Sequence, residues 1–108
     1  MITAIVSTVK DVLRGKPLAV RSSKWHTVRA HHVAQHPICA ACGRSKSLEV
    51  HHIMPYHLDK SLELEPSNLL TLCESPDTKC HLEIGHLGSW KKFNPDVVTQ
   101  AAQKLASK

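Results

Sequence analysis

The sequence predicts one small α+β domain held together by a metal ion, and three observations carry that expectation. Apolar residues recur at helical spacing near both ends of the chain: Ile2, Ile5, Val6, Val9, Val12 and Leu13 in the first stretch, Val97, Val98, Ala101, Ala102 and Leu105 in the last. Two short strand candidates, Leu48–Ile53 and Asn68–Cys73, lie between them. Four cysteines flank those strands in two pairs, Cys39-x2-Cys42 and Cys73-x6-Cys80. A closely spaced pair on a turn aims both sulfurs at one ion, and two such pairs build a tetrahedral thiolate site suited to zinc. Two disulfides or four unrelated buried thiols are the alternatives, and a reducing compartment disfavours the first.

Size makes the metal useful. A chain of 108 residues is a single domain by length, and such domains bury a smaller share of their surface than large ones. With aromatics at only 4%, the core lacks its bulkiest building blocks. The formal charge of +5 favours an anionic partner. It does not choose among nucleic acid, an acidic membrane surface and an acidic protein.

The elements follow in order. Met1–Val9 is apolar but lacks a basic leader and a small-residue cleavage pattern, and Lys10, Asp11 and Arg14 interrupt it. The expectation is an amphipathic helix ended at Gly15-Lys16-Pro17 in a cytoplasmic protein, with neither a signal peptide nor a membrane span. Arg21-Ser22-Ser23 is a capping signal for a helix with Trp25, Val28 and His32 on one side, stopping near His36-Pro37. Cys39–Arg44 reads as a tight turn, and Pro55 bounds the first strand. Tyr56–Ser67 is a polar connection, and Glu74–Lys79 is a loop marked by Ser75-Pro76-Asp77. Cys80–Ile84 starts a helix limited by Gly85 and Gly88, and Asn94-Pro95 places a cap and a first-turn proline for the last helix. The single domain thus comprises an N-terminal helical region (1–36), a metal-bound core (37–88) and a C-terminal helix (89–108).

Further residues carry chemistry. In Val50-His51-His52-Ile53-Met54-Pro55 the side chains of adjacent strand residues point to opposite faces, so at least one imidazole is buried and needs satisfying. By themselves these histidines are also compatible with an ordinary polar strand end. Asn68 alone reads as a turn residue, and His81 alone as an alternative zinc ligand beside Cys80.

Taken in order, Cys-x2-Cys, His-His-Ile-x-Pro, Asn-Leu-Leu-Thr-Leu-Cys and Cys-His resemble the HNH endonuclease family, particularly its zinc-containing phage and bacterial members. The resemblance runs from His36 to about Pro95. It takes in Leu48-Glu49-Val50, Ile84-Gly85-His86-Leu87-Gly88 and Trp90-Lys91-Lys92-x-Asn94-Pro95, which are similar to a phage-associated branch. It implies a ββα-metal core of the His-Me finger type around one catalytic divalent ion. His51 would be a ligand of that ion, His52 the general base, and His81 a second ligand. Asn68 would orient His52 through the strand backbone, and Cys39, Cys42, Cys73 and Cys80 would hold a separate structural zinc.

Family members often carry an acidic residue where His51 stands, and an all-imidazole site favours Mn, Ni or Zn over Mg. His86 lies beyond His81's face on a regular helix; a third ligand, a phosphate contact and a surface residue are all open, and a non-ligand role is preferred. His26, His31, His32, His36 and His57 are taken as surface or packing residues, and Trp90 as core. Arg44, Lys46, Lys91 and Lys92 are candidate contacts to DNA phosphates. The function implied is metal-dependent hydrolysis of DNA phosphodiester bonds to 5′-phosphate and 3′-hydroxyl ends, in phage DNA processing with packaging proteins as partners. The rivals are a non-catalytic zinc module that binds DNA or protein, and a bacteriocin-type nuclease toxin, which would require an immunity protein and a delivery domain.

Overall fold

The computed structural model describes residues 22–108; the helix expected over Met1–Leu13 and the Arg21 part of the capping signal lie outside them. Helix α1 spans Trp25–Gln35, and Lys24 occupies its cap position without a side-chain cap bond. Ser22 opens the turn instead: its Oγ accepts from the Lys24 amide at 3.1 Å and its carbonyl from the Trp25 amide at 3.0 Å. The Ser22 amide donates to Glu63 Oε2 at 2.8 Å, so a buried carboxylate anchors the start of the helix. Pro37 ends it, because the residue before a proline is pushed out of the helical region, and His36 sits at φ −128°, ψ 74°. On the helix flank, Arg29 Nη2 donates to Leu48 O and Glu49 Oε2, both at 3.1 Å.

Strands β1 (Leu48–His52) and β2 (Leu69–Cys73) form an antiparallel pair in which Leu48 faces Cys73 and His52 faces Leu69. Asn68, expected to open β2, belongs instead to a 3-10 turn over Pro66–Asn68. Its carbonyl still accepts from the Ile53 amide at 2.8 Å, continuing the ladder one step past the strands. The polar connection holds a second 3-10 turn, Lys60–Leu62, capped by Asp59.

Where the sequence predicts a helix after Cys80, the chain makes a single π-helical turn, His81–Gly85. Helix α2 (Val97–Ala106) begins later than the Asn94-Pro95 signal implies. Asn94 does its work one turn upstream: Oδ1 accepts from the Asp96 amide at 2.9 Å, and Nδ2 donates to Ile84 O at 3.0 Å and to Gln100 Oε1 at 2.7 Å. Of the apolar stripe expected on this helix, Val97 and Ala101 are buried whereas Val98 and Leu105 are 50% and 39% exposed. The surface beneath a short helix in so small a domain covers only a narrow face.

The buried cluster consists of Cys39, Ala41, Cys42, Leu72, Cys73, Cys80, Val97 and Ala101. Half of it is cysteine, and the rest is mostly small. Burial at roughly 25 cal/mol per Å² of apolar surface contributes little to such a core, in which sulfurs stand where a larger domain carries bulky apolar side chains. Among the described residues, no helix is long and apolar enough to cross a membrane.

Candidate metal centres

Two clusters of potential ligands draw on the β1–β2 pair, the first through Cys73 and the second through His51. The first gathers Cys39, Cys42, Cys73 and Cys80, all buried, with their sulfurs within 4.8 Å of one another. All four are unlinked thiols. The first knuckle closes through Gly43 N→Cys39 O at 2.9 Å and Cys39 N→Arg44 O at 2.7 Å, with Gly43 at φ +80°, where a side chain would be strained. In the second, Ser75 and Thr78 hydroxyls lie against Cys73 Sγ at 3.7 and 2.9 Å. Burial pushes the Cys39 and Cys80 thiols up. Burial acts the same way on Cys73, but the hydrogen bonds from Thr78, the Cys80 backbone and Ser75 outweigh it and hold that thiol down to about 6. Lys104 Nζ, reaching down from α2, sits 3.6 Å from Cys80 Sγ and sets a cation beside the sulfurs.

Arg44 links the two knuckles. Its guanidinium pairs with the Asp77 carboxylate through both nitrogens, Nη1 to Oδ1 at 2.8 Å, and reaches Ser75 Oγ at 3.3 Å. The Arg44 side chain, a candidate DNA contact, is exposed and at the same time paired with Asp77 at the surface. Lys46, Lys91 and Lys92 are exposed.

The second cluster gathers His51 from β1, His81 from the start of the π turn and His86 from just beyond it, with one ligand nitrogen of each within 4.8 Å of the others. Ring centroids are 5.0 Å apart for His51–His81 and 4.9 Å apart for the other two pairs. On an α-helix, residues five apart diverge; in the π turn the His86 amide bonds back to His81 O at 3.1 Å, and the wider turn returns His86 to the same side. Gly85 makes room for this: a Cβ there would stand 3.1 Å from His51 Cε1 and Nδ1 and 3.2 Å from Leu72 Cδ1. Trp90 packs its ring on His81 and His86 at 5.1 and 4.9 Å, so the tryptophan expected in the core forms a wall of this cluster.

Two of the rings are held at their inner nitrogens. His81 Nδ1 lies 2.7 Å from Glu74 Oε1, and His86 Nδ1 lies 2.8 Å from Lys92 O. Carboxylate and carbonyl oxygens accept, so both rings donate from Nδ1, and in the neutral imidazole Nε2 then carries the lone pair.

His52 faces the other way along β1, as the strand period requires. Its ring packs on Trp25 at 4.5 Å, and its Nε2 lies 2.8 Å from the carbonyl of Glu63. Asn68 braces the end of the same strand: Oδ1 accepts from the Met54 amide at 2.7 Å, and Nδ2 donates to the carbonyls of Met54 and Leu62, both at 3.1 Å.

A two-stranded antiparallel pair followed by a short helical turn, with a cysteine cluster and a histidine cluster, makes a small α+β domain with two candidate metal sites. Residues 39–87 match the model of the HNH family, described as HNH endonuclease. No curated protein and no solved structure matches the chain.

Several site residues escape a reading of the sequence alone. Glu74, the Lys92 carbonyl and the Glu63 carbonyl each orient a histidine, and none announces itself. The one available signal is positional: Glu74 directly follows Cys73 as His81 directly follows Cys80.

Proposed function

We propose that the chain is a metal-dependent endonuclease that hydrolyses DNA phosphodiester bonds to 5′-phosphate and 3′-hydroxyl ends, with zinc held structurally by the four cysteines. The observation that carries this reading is the convergence of His51, His81 and His86 within the HNH-matched residues. The donor set fits a divalent transition metal: three imidazoles, two of them with Nδ1 anchored so that Nε2 is the ligand nitrogen. His51, His81 and His86 would hold the ion, and their number leaves coordination positions for phosphate oxygens and water, as a catalytic site requires. When bound, the cation supplies positive charge against the charge that builds on the phosphate and the leaving oxygen.

The protein's own groups divide the remaining work. The Glu63 carbonyl accepts a hydrogen bond from Nε2–H of His52, which leaves Nδ1 with the lone pair that would accept a proton from the attacking water. Asn68 keeps the backbone beyond His52 in place through Met54 and Leu62. The exposed cations Arg44, Lys46, Lys91 and Lys92 would meet DNA phosphates. A non-catalytic zinc module needs the cysteines alone and gives no reason for the anchored histidines. We place the activity in phage DNA processing on the resemblance of the Trp90–Pro95 segment.

The test is cleavage of supercoiled plasmid. Brief chelation is expected to strip the open imidazole site, spare the closed thiolate site and stop cleavage with circular dichroism unchanged. Added Mn, Ni or Mg then restores cleavage to different extents. Undiminished cleavage, once elemental analysis shows only the thiolate-bound zinc remaining, contradicts the reading.

A further inference from the structure

We infer that Glu74 is a positioning residue for the imidazole cluster: its carboxylate accepts a hydrogen bond from Nδ1–H of His81 and so turns Nε2 of that ring toward His51 and His86. This rests on the reading of those histidines as an ion site. The Glu74–His81 contact of 2.7 Å joins two side chains that are only 18% and 9% exposed. That is the length of a charge-assisted hydrogen bond, about twice as strong as a neutral one. A carboxylate behind an imidazole locks the tautomer and makes the opposite nitrogen a better donor to a metal. At His86 the Nδ1 contact is to a neutral carbonyl, that of Lys92. Of these two ligands, His81 is the one whose backing is a carboxylate.

The placement explains the unusual second knuckle. Its spacing, Cys73-x6-Cys80, exceeds the roughly two to four residues common in zinc knuckles. Glu74 is the first residue after one sulfur ligand and His81 the first after the other. The intervening loop closes with Lys79 N→Ser75 O at 3.0 Å and turns sharply at Lys79, which lies at φ +46°. Gathering the sulfurs of Cys73 and Cys80 thus also brings the carboxylate against the imidazole. The longer knuckle makes the thiolate cluster orient the imidazole cluster, with Glu74 as the link.

The experiment titrates the zinc-loaded protein with nickel alone by calorimetry, reading the binding event that His81→Ala removes. Glu74→Ala should raise the nickel Kd by roughly 10- to 100-fold. Glu74→Gln keeps an acceptor oxygen without the charge and should fall between the two. Nitrogen-15 NMR before nickel addition should show His81 as the Nδ1–H tautomer in the wild type and in Glu74→Gln, and as a tautomer mixture in Glu74→Ala. Retained zinc in each variant excludes simple misfolding. If Glu74→Ala loses zinc, the glutamine variant decides: a raised Kd with the tautomer kept supports the role, and a wild-type Kd overturns it. Wild-type nickel affinity in a folded Glu74→Ala, or an unchanged tautomer there, also overturns it. A wild-type protein with no event sensitive to His81→Ala overturns the ion-site reading itself and the assignment with it.

Discussion

Replacing His52 with alanine is expected to lower plasmid cleavage by roughly two to four orders of magnitude, the usual worth of a positioned general base. His52 lies on the opposite side of β1 from the ion-site histidines, packed on Trp25 and tied through Nε2 to the Glu63 carbonyl. Its removal therefore takes away a proton acceptor and leaves His51, His81 and His86 in place. Nickel affinity by calorimetry and DNA affinity by fluorescence anisotropy should stay near wild type. His51→Ala and His81→Ala should behave differently: both weaken metal binding, and excess metal recovers part of their cleavage. Because truncation also removes packing from Trp25, circular dichroism must show that the His52→Ala fold is intact. Cleavage at the wild-type rate in this variant would mean that another group accepts the proton.

The second large effect is on stability. Cys80→Ser, or Cys39→Ser, should leave the chain unfolded or aggregated. Structural zinc in small domains contributes on the order of 10–16 kcal/mol at neutral pH, whereas whole domains are stable by only about 5–15 kcal/mol. In this core the thiols are half of the buried cluster, and both knuckles, β2 and α2 meet on them. Few apolar contacts would remain to hold these elements together. The wild type should contain about one tightly bound zinc per chain, and loss of near-ultraviolet dichroism reads the unfolding of the variants. A cooperative, wild-type melt for Cys80→Ser would show that the sulfurs are ordinary core residues.

How much of this was legible in the sequence depends on the range over which each feature is encoded. The cysteine pairs are visible because each knuckle is a local turn, and the strand period alone sends His51 and His52 to opposite faces. The grouping of His86 with His81 was not legible, since spacing rules assume an α-helix and the chain makes a π turn, opened by the absence of a side chain at Gly85. Arg44 illustrates a different limit. A basic residue near a phosphate-handling motif reads as a nucleic-acid contact, and nothing in the sequence announces that it also pairs with Asp77, 33 residues away, which only the folded knuckles bring to it. The same holds for the late start of α2: Asn94 has the chemistry of a cap, yet it spends its amide on Ile84 and Gln100.

The central claim is that His51, His81 and His86 hold the catalytic ion. Anomalous diffraction from crystals of the zinc-loaded protein grown with nickel tests it most directly, because the two metals are told apart by their absorption edges. The account predicts zinc among the four sulfurs and nickel about 2.1 Å, the ordinary imidazole–metal distance, from one ring nitrogen of each of the three histidines, Nε2 in His81 and His86. Nickel found only at exposed histidines such as His31 or His57, with the three-histidine cluster empty in protein that cleaves DNA, would contradict it.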